Sequence, residues 1–308
     1  MSSLSVTEPI VTAVQRTRHI LFQPFNLPKW LRLGFCAFLA GMGQAGGTGG
    51  GTGGDGSGSD PELGTFDLDG VGAWVQENLP LIITVTSLVL VLLIVLGILF
   101  TWLGSRGRFM LLDGVIRNRG AIAEPWREYR REGNSLFRFR FYLGLLFLGL
   151  ITMILTLGLL LAWPDLESNQ LSGSGVMAIV IGGLLLLILI VSLSVISLLL
   201  NDFVVPIMYL RRIPVQPAWS EFRISFWQNN QGAVVLYFLM RFVLNLAVGI
   251  LSVVAILLSC LIALVPYVGS VLLLPLTVFQ VTYPLGFIEQ FGPQWQVFAT
   301  DPEASQPS

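Results

Sequence analysis

His19 is the only histidine in the 308-residue chain. A Ser-His-Asp or Cys-His arrangement, or a histidine-rich metal centre, needs an imidazole among its partners, and this one lies on a short amphipathic surface segment near the N-terminus. Ser192, Ser194 and Ser197 share an apolar run with no base nearby. They read as backbone-bonded or helix-packing hydroxyls. Cys36 and Cys260 also fall in apolar runs without zinc-type spacing, and read as small buried hydrophobes. Asp113 and Asp202 lie just past the ends of apolar runs, outside the Gly-x-Gly-Asp and Tyr-Asp settings of intramembrane aspartyl proteases. The expectation is a protein without a catalytic residue, metal or cofactor, and so not an enzyme.

The polar residues that remain at or near membrane depth are Asp202, Arg241, Asn245, Gln280, Tyr283 and Glu289. Arg241 and Asn245 are spaced i, i+4 and share one helix face, while Gln280 and Tyr283 share another. Such groups usually face a bundle interior or a cavity. Arg241 and Asn245 are expected to meet Asp202 or Glu289 near the cytoplasmic mouth and close the bundle. Simple snorkelling at the interface and a substrate-lining role are the alternatives.

Arginine placement is the strongest signal. All 17 Lys and Arg lie in three windows, Arg16–Arg32, Arg106–Arg140 and Arg211–Arg241, and the central one holds nine of the 16 arginines. Gly41–Ser105 has six acids and no base, Phe141–Leu210 has three acids and no base, and no base follows Arg241. Putting all three windows in the cytoplasm satisfies the positive-inside rule at every loop. A Gly-rich stretch, Gly41–Ser59, contains eleven glycines. It lacks the Lys and Ser/Thr of a phosphate loop, and at the sixth and twelfth positions of a calcium loop it offers Asp60 and Phe66. A flexible linker is the reading.

These elements sit in a chain that is 54% hydrophobic and 11% charged, with a mean hydropathy of +0.77. Runs of that length and polarity read as transmembrane helices, since about 20 residues span a ~30 Å hydrocarbon core. The expected fold is all-α, a polytopic transmembrane helix bundle of about six spans. A cytoplasmic amphipathic segment, residues 1–27, precedes a membrane domain, residues 28–290. Its spans are placed at about 28–46, 80–103, 141–163, 176–200, 241–264 and 268–289. The first is the least apolar, and a re-entrant hairpin is its alternative. An extracytoplasmic Gly-rich linker covers 41–61, a short interfacial helix is expected between Glu62 and Asn78, and a polar tail, 291–308, returns to the cytoplasm. The long leader before the first apolar core argues against a cleaved signal peptide.

The cytoplasmic loops look duplicated. Trp126-Arg-Glu128-Tyr129-Arg130 and Trp219-Ser-Glu221-Phe222-Arg223 both read Trp-x-Glu-aromatic-Arg, following Phe109 and Phe203 by 17 and 16 residues. The unit is span, interfacial amphipathic elbow helices, span. Its aromatics suit headgroup depth and its arginines suit phosphate and cytosol. Arg106, Arg108, Arg117, Arg119, Trp126, Arg127, Arg130, Arg131, Arg211, Arg212, Trp219 and Arg223 are the candidate contacts. They read either as an anchor that orients each hairpin or as a basic collar that gathers anionic lipid headgroups or an acidic partner.

The motifs RFMLLDGVIRNR, EPWREYRREGNSLFRFR, DFVVPIMYLRR with AWSEF, LVPYVGSVLLLP and the closing EQFGP resemble a group of uncharacterised prokaryotic multi-span membrane proteins. That group is distantly similar to the membrane domain beside the catalytic domain of some glycerophosphodiester phosphodiesterases. The resemblance covers most of Val6–Phe298. It implies a six-helix, two-repeat bundle in the prokaryotic plasma (inner) membrane, without the hydrolase's paired histidines and metal carboxylates. Both termini are expected in the cytoplasm, membrane lipids as partners and no nucleic acid. A lipid-organising, scaffold or accessory-subunit role is the leading expectation. A transporter or channel for a lipid or other amphipathic substrate is the alternative, and an intramembrane enzyme is the weakest.

Overall fold

Leucine- and valine-rich runs without an internal break make helices that outlast the membrane thickness they were sized for. The computed structural model describes residues 5–42, 78–168, 173–259 and 262–298. Most of the Gly-rich linker, the expected helix before Asn78, the end of the first expected span, Cys260 and the end of the tail lie outside them. The helices are α1 (Glu8–Phe22), α2 (Leu27–Met42), α3 (Leu79–Ile116), α4 (Ala123–Glu128), α5 (Arg130–Ser168), α6 (Gly173–Leu199), α7 (Val205–Arg211), α8 (Val215–Phe222), α9 (Gln228–Leu258), α10 (Pro266–Leu272) and α11 (Leu274–Glu289).

Four helical stretches, Leu79–Ile116, Arg130–Trp163, Gly175–Arg211 and Asn230–Leu258, are long and apolar enough to cross a membrane. The pair α10 and α11, bent by 62° at Leu273, makes a fifth if counted as one. The bend falls two residues before Pro275, which sits in the first turn of α11, whereas Pro284 lies inside α11 without breaking it. Helix α2 has 16 residues, roughly 24 Å of rise, which is short of a full crossing.

The molecule has two unlike ends. Along one, the apolar shafts of α3, α5, α6 and α9 are largely exposed, although α5 packs along α6. Leu88, Leu160, Met177 and Phe242 are each at least 63% exposed. Apolar surface on this scale marks contact with lipid or with other protein. At the other end a continuous core forms from Leu33 and Leu39 of α2, Phe109–Leu112 of α3, Leu200–Met208, Phe222, Tyr237 and Leu274–Ile288. Helix α1 caps this end. Its buried stripe is Pro9, Ala13, Thr17, Ile20 and Leu21, and Val14 faces outward. Ser5 and Gln290 exchange two hydrogen bonds of 2.8 Å, and Tyr283 OH donates to the Val6 carbonyl (3.3 Å).

Two close crossings set the spacing. A Cβ on Gly107 would stand 2.7 Å from backbone atoms of Leu39 and Ala40, so α2 and α3 touch backbone to backbone there. Gly34 plays the same part against Val271 of α10. A five-residue π turn, Leu200–Val204, joins α6 to α7. Its cause is Pro206, which has no N–H to give the Asp202 carbonyl, so the ladder slips and Val205 N–H bonds to the Leu200 carbonyl.

Candidate functional site

The arginines expected at headgroup depth are, in part, inside the protein. Helix α3 does not stop near Leu103 but runs through Arg106 and Arg108 to Ile116. Arg106 is 8% exposed, lies over the Trp102 and Trp126 rings (4.5 and 4.8 Å to the centroids), which meet edge to face, and donates to Asn134 Oδ1 (3.0 Å). That environment combines stacking with a charge-assisted hydrogen bond, the pairing that suits a guanidinium out of water.

Seven residues further on, Asp113 is fully buried and saturated with donors. Tyr129 OH (3.3 Å) and Tyr209 OH (3.0 Å) both donate to Oδ1, and their rings stack at 4.9 Å. Arg117 Nε lies 3.2 Å from Oδ1, while Arg119 donates from Nε (3.2 Å) and Nη2 (3.1 Å) to Oδ2. Around this centre Glu124 holds Arg119 at 2.8 Å, and Glu128 pairs with both Arg117 (3.4 Å) and Arg212. Arg212, at φ 56°, also donates to Tyr129 OH (3.0 Å) and lies 4.0 Å over its ring. The network thus ties the α4 elbow to the end of α7.

Charge follows from that geometry. Burial opposes ionisation of Arg117 and Arg119, but Asp113, together with the Glu124 hydrogen bond at Arg119, holds both above their ordinary values. Burial would also raise Glu128, yet Arg212 and Arg117 hold it below the usual carboxylate range. Tyr129 is pushed up by burial and by its neighbours Tyr209 and Asp113.

A second buried carboxylate, Asp202, sits on the π turn. Tyr237 OH donates to Oδ2 (2.8 Å), and Arg241 donates from Nη2 to Oδ1 (3.2 Å) and to the Gln280 carbonyl (3.1 Å). Arg241 Nε stands 2.9 Å from Oδ2 but off the hydrogen-bonding direction, and its Nη1 is buried with no acceptor. Tyr283 stacks on Tyr237 at 5.4 Å. Of the residues proposed for a polar closure, Asp202, Arg241, the Gln280 carbonyl and Tyr283 therefore meet. Asn245 is exposed, and Glu289 lies elsewhere, accepting from Val297 and Phe298 N–H and facing Arg16 at 3.6 Å.

Among the remaining candidates, Arg127, Arg130, Arg131 and Arg223 are exposed. Arg211 pairs with Glu221 (3.3 Å) and lies over Trp295 (5.0 Å). Trp219 packs against Phe139 and Phe222, with its indole nitrogen buried and without an acceptor. Asp113, Tyr237, Arg140 and Tyr209 were not among the candidates chosen from sequence. Arg140, the first charge below the α5 shaft, donates to Asn201 Oδ1 at 2.6 Å. Tyr209 completes the Asp113 centre. The signal for Arg140 was its place directly before an apolar run, as with Arg241.

Four to five long apolar helices over a charged, packed end are the features of a helical membrane protein. The chain belongs to DUF7544, a family of unknown function whose model matches residues 4–292. That match shows no link to glycerophosphodiester phosphodiesterase membrane domains. Comparison with curated proteins and with solved structures finds no match.

Proposed function

We propose that this protein is a non-catalytic, multi-pass component of a prokaryotic plasma membrane that gathers anionic lipids at its cytoplasmic face. The observation that carries the reading is the split between its two ends. Unpacked apolar shafts meet, at their charged ends, a surface studded with Arg127, Arg130, Arg131 and Arg223. Each base close to an anionic leaflet contributes about 1 kcal/mol of attraction. The positive-inside rule puts that face and both termini in the cytoplasm, with the two Trp-x-Glu-aromatic-Arg elbows as copies of one unit.

Purification with native lipids followed by mass spectrometry tests the function. Enrichment of anionic over zwitterionic lipid relative to the bulk membrane supports it, and bulk-like composition ends it. A cysteine replacing Arg127 should be labelled only after permeabilisation, and labelling in intact cells overturns the orientation. The exposed apolar face of α5 between Leu145 and Leu157 leaves a second reading, passage of an amphiphile. Lipid flux in reconstituted vesicles distinguishes carriage from retention.

A further inference from the structure

Asn245 is the polar residue that the expected closure of the bundle leaves over. Arg241, one turn before it on α9, is drawn inward to Asp202 and to the Gln280 carbonyl. Asn245 is exposed and makes no hydrogen bond among the described residues. Hydroxyls on the apolar shafts behave differently. Thr152, Thr156, Ser192, Ser194 and Ser252 each donate to a carbonyl of their own helix at 2.7–2.8 Å. An asparagine amide carries a carbonyl acceptor and an NH₂ donor group, and here neither is used.

Depth makes this costly. Helix α9 belongs to a stretch, Asn230–Leu258, long and apolar enough to cross a membrane, and a crossing takes about 20 residues. Wherever such a window is drawn between Ala233 and Leu258, it contains Asn245 and leaves it at least about 9 Å from either edge. Asparagine is too short to reach water over that distance, as a lysine or arginine can. Acyl chains offer neither donor nor acceptor, so the amide is satisfied only when a polar group of another molecule arrives.

The surface around it is open to a helix. Beyond Arg241 no helix among the described residues packs along α9 as α6 packs along α5. Val248 turns inward, while Phe242, Asn245, Leu246, Gly249 and Val253 are exposed and lie within roughly a 100° arc of the helix. Gly249, one turn beyond Asn245, has nothing within 4 Å of where a Cβ would be, so a partner backbone can come close there.

We infer that this face of α9 is a self-association surface whose occupant is α9 of a second copy of the chain. Copies inserted in the same sense carry Asn245 at the same depth. A two-fold axis along the membrane normal therefore brings it to the partner's Asn245. Being donor and acceptor at once, each amide gives an N–H to the other's carbonyl oxygen, so an identical chain satisfies both. This interaction goes beyond the lipid-gathering reading and does not depend on it.

The test measures energy transfer between full-length copies labelled at the N-terminal amine with donor and acceptor, in phosphatidylcholine vesicles. Diluting the protein with lipid gives the dissociation constant. Wild type should associate. N245L and G249I should weaken association at least fivefold, N245Q should stay near wild type because it keeps the amide, and A247I, exposed on the far side of α9, should change nothing. Thermal midpoints in detergent identify folded variants; N245L should match wild type, since no hydrogen bond is lost. A wild-type chain that stays monomeric at every dilution overturns the surface and leaves this face to lipid. Undiminished association in folded N245L overturns it too, as does equal weakening by A247I and G249I. If N245L does not fold, the wild-type measurement and the G249I–A247I comparison still decide.

Discussion

The two buried carboxylates of this protein are held in opposite ways. Around Asp113, three acids (Asp113, Glu124, Glu128) meet three arginines (Arg117, Arg119, Arg212). The side chains of those arginines keep 30–39% exposure. Around Asp202, one acid meets Arg241, whose side chain is 7% exposed, with Arg108 and Arg140 close by. The first centre is neutral in itself and vented to water. The second is dry and carries an excess of positive charge. A neutral, vented network fixes geometry between the elbow and α7. An excess of positive charge where apolar shafts begin makes that level depend on the single carboxylate Asp202.

The largest test of that contrast is removal of each carboxylate. Asp202→Asn strands Arg241 beside two other cations, so a loss of about 3–5 kcal/mol is expected, read as the fall in thermal midpoint in detergent. Asp113→Asn should cost less, about 1–3 kcal/mol, because Arg117 and Arg119 turn outward to water and to Glu128 and Glu124. Arg241→Leu should also cost less than Asp202→Asn, since Arg108 remains to face the carboxylate. The double variant D202N/R241L should recover part of the loss. Equal losses for the two aspartates would erase the distinction.

Between the two centres α3 crosses α2 at Gly107. A methyl there meets backbone atoms 2.7 Å away, which cannot rotate aside. Gly107→Ala should cost about 1–3 kcal/mol through forced separation of the helices. Gly149→Ala, with open space around it, should leave stability unchanged. A matching loss at both positions would mean that helix propensity, not contact, sets the response. Arg106→Leu is expected to cost somewhat less, about 1–2 kcal/mol, because the leucine still packs on Trp102 and Trp126 while the cation–ring attraction is lost.

The all-helical class was legible because long apolar runs declare themselves as helices, but their ends were not, since α3, α5 and α9 continue well past their apolar parts. The charged level was half legible. Arg241 and Asp202 stood out as polar residues beside apolar runs, and they do meet. Arg106 and Arg108 were read as surface anchors because nothing in a linear pattern says that α3 continues as one rigid helix past its apolar part. The interior position of Arg106 depends on Trp126, twenty residues away, folding back over it. Glu289 and Asn245 were grouped with Arg241 on polarity and helix spacing alone. The bend at Leu273 and the π turn ahead of Pro206 then rotate α11 and α7 in ways spacing does not encode. Tyr209 was missed because a tyrosine at the end of an apolar run also reads as an interfacial ring.

The smallest expected effect bears on whether the Asp113 centre behaves as the vented one. Burial is the largest single pull on Glu128 and acts upward, but Arg212 and Arg117 together outweigh it and hold the group below the ordinary carboxylate range. A carboxylate depressed in the folded state stabilises it fully above the ordinary carboxylate value. That contribution disappears as pH falls through that value and down to the depressed one. With its side chain 30% exposed, Glu128 should contribute from a few tenths to about 1 kcal/mol, as exposed ion pairs do. Thermal midpoints in detergent from neutral to strongly acidic pH should therefore show E128Q below wild type at neutrality and level with it in acid. Raising salt should narrow the neutral gap, because a pair open to solvent is screened. A gap that ignores both acid and salt would mean the Glu128 pair is sealed from water, and the contrast with Asp202 would then rest on charge balance alone.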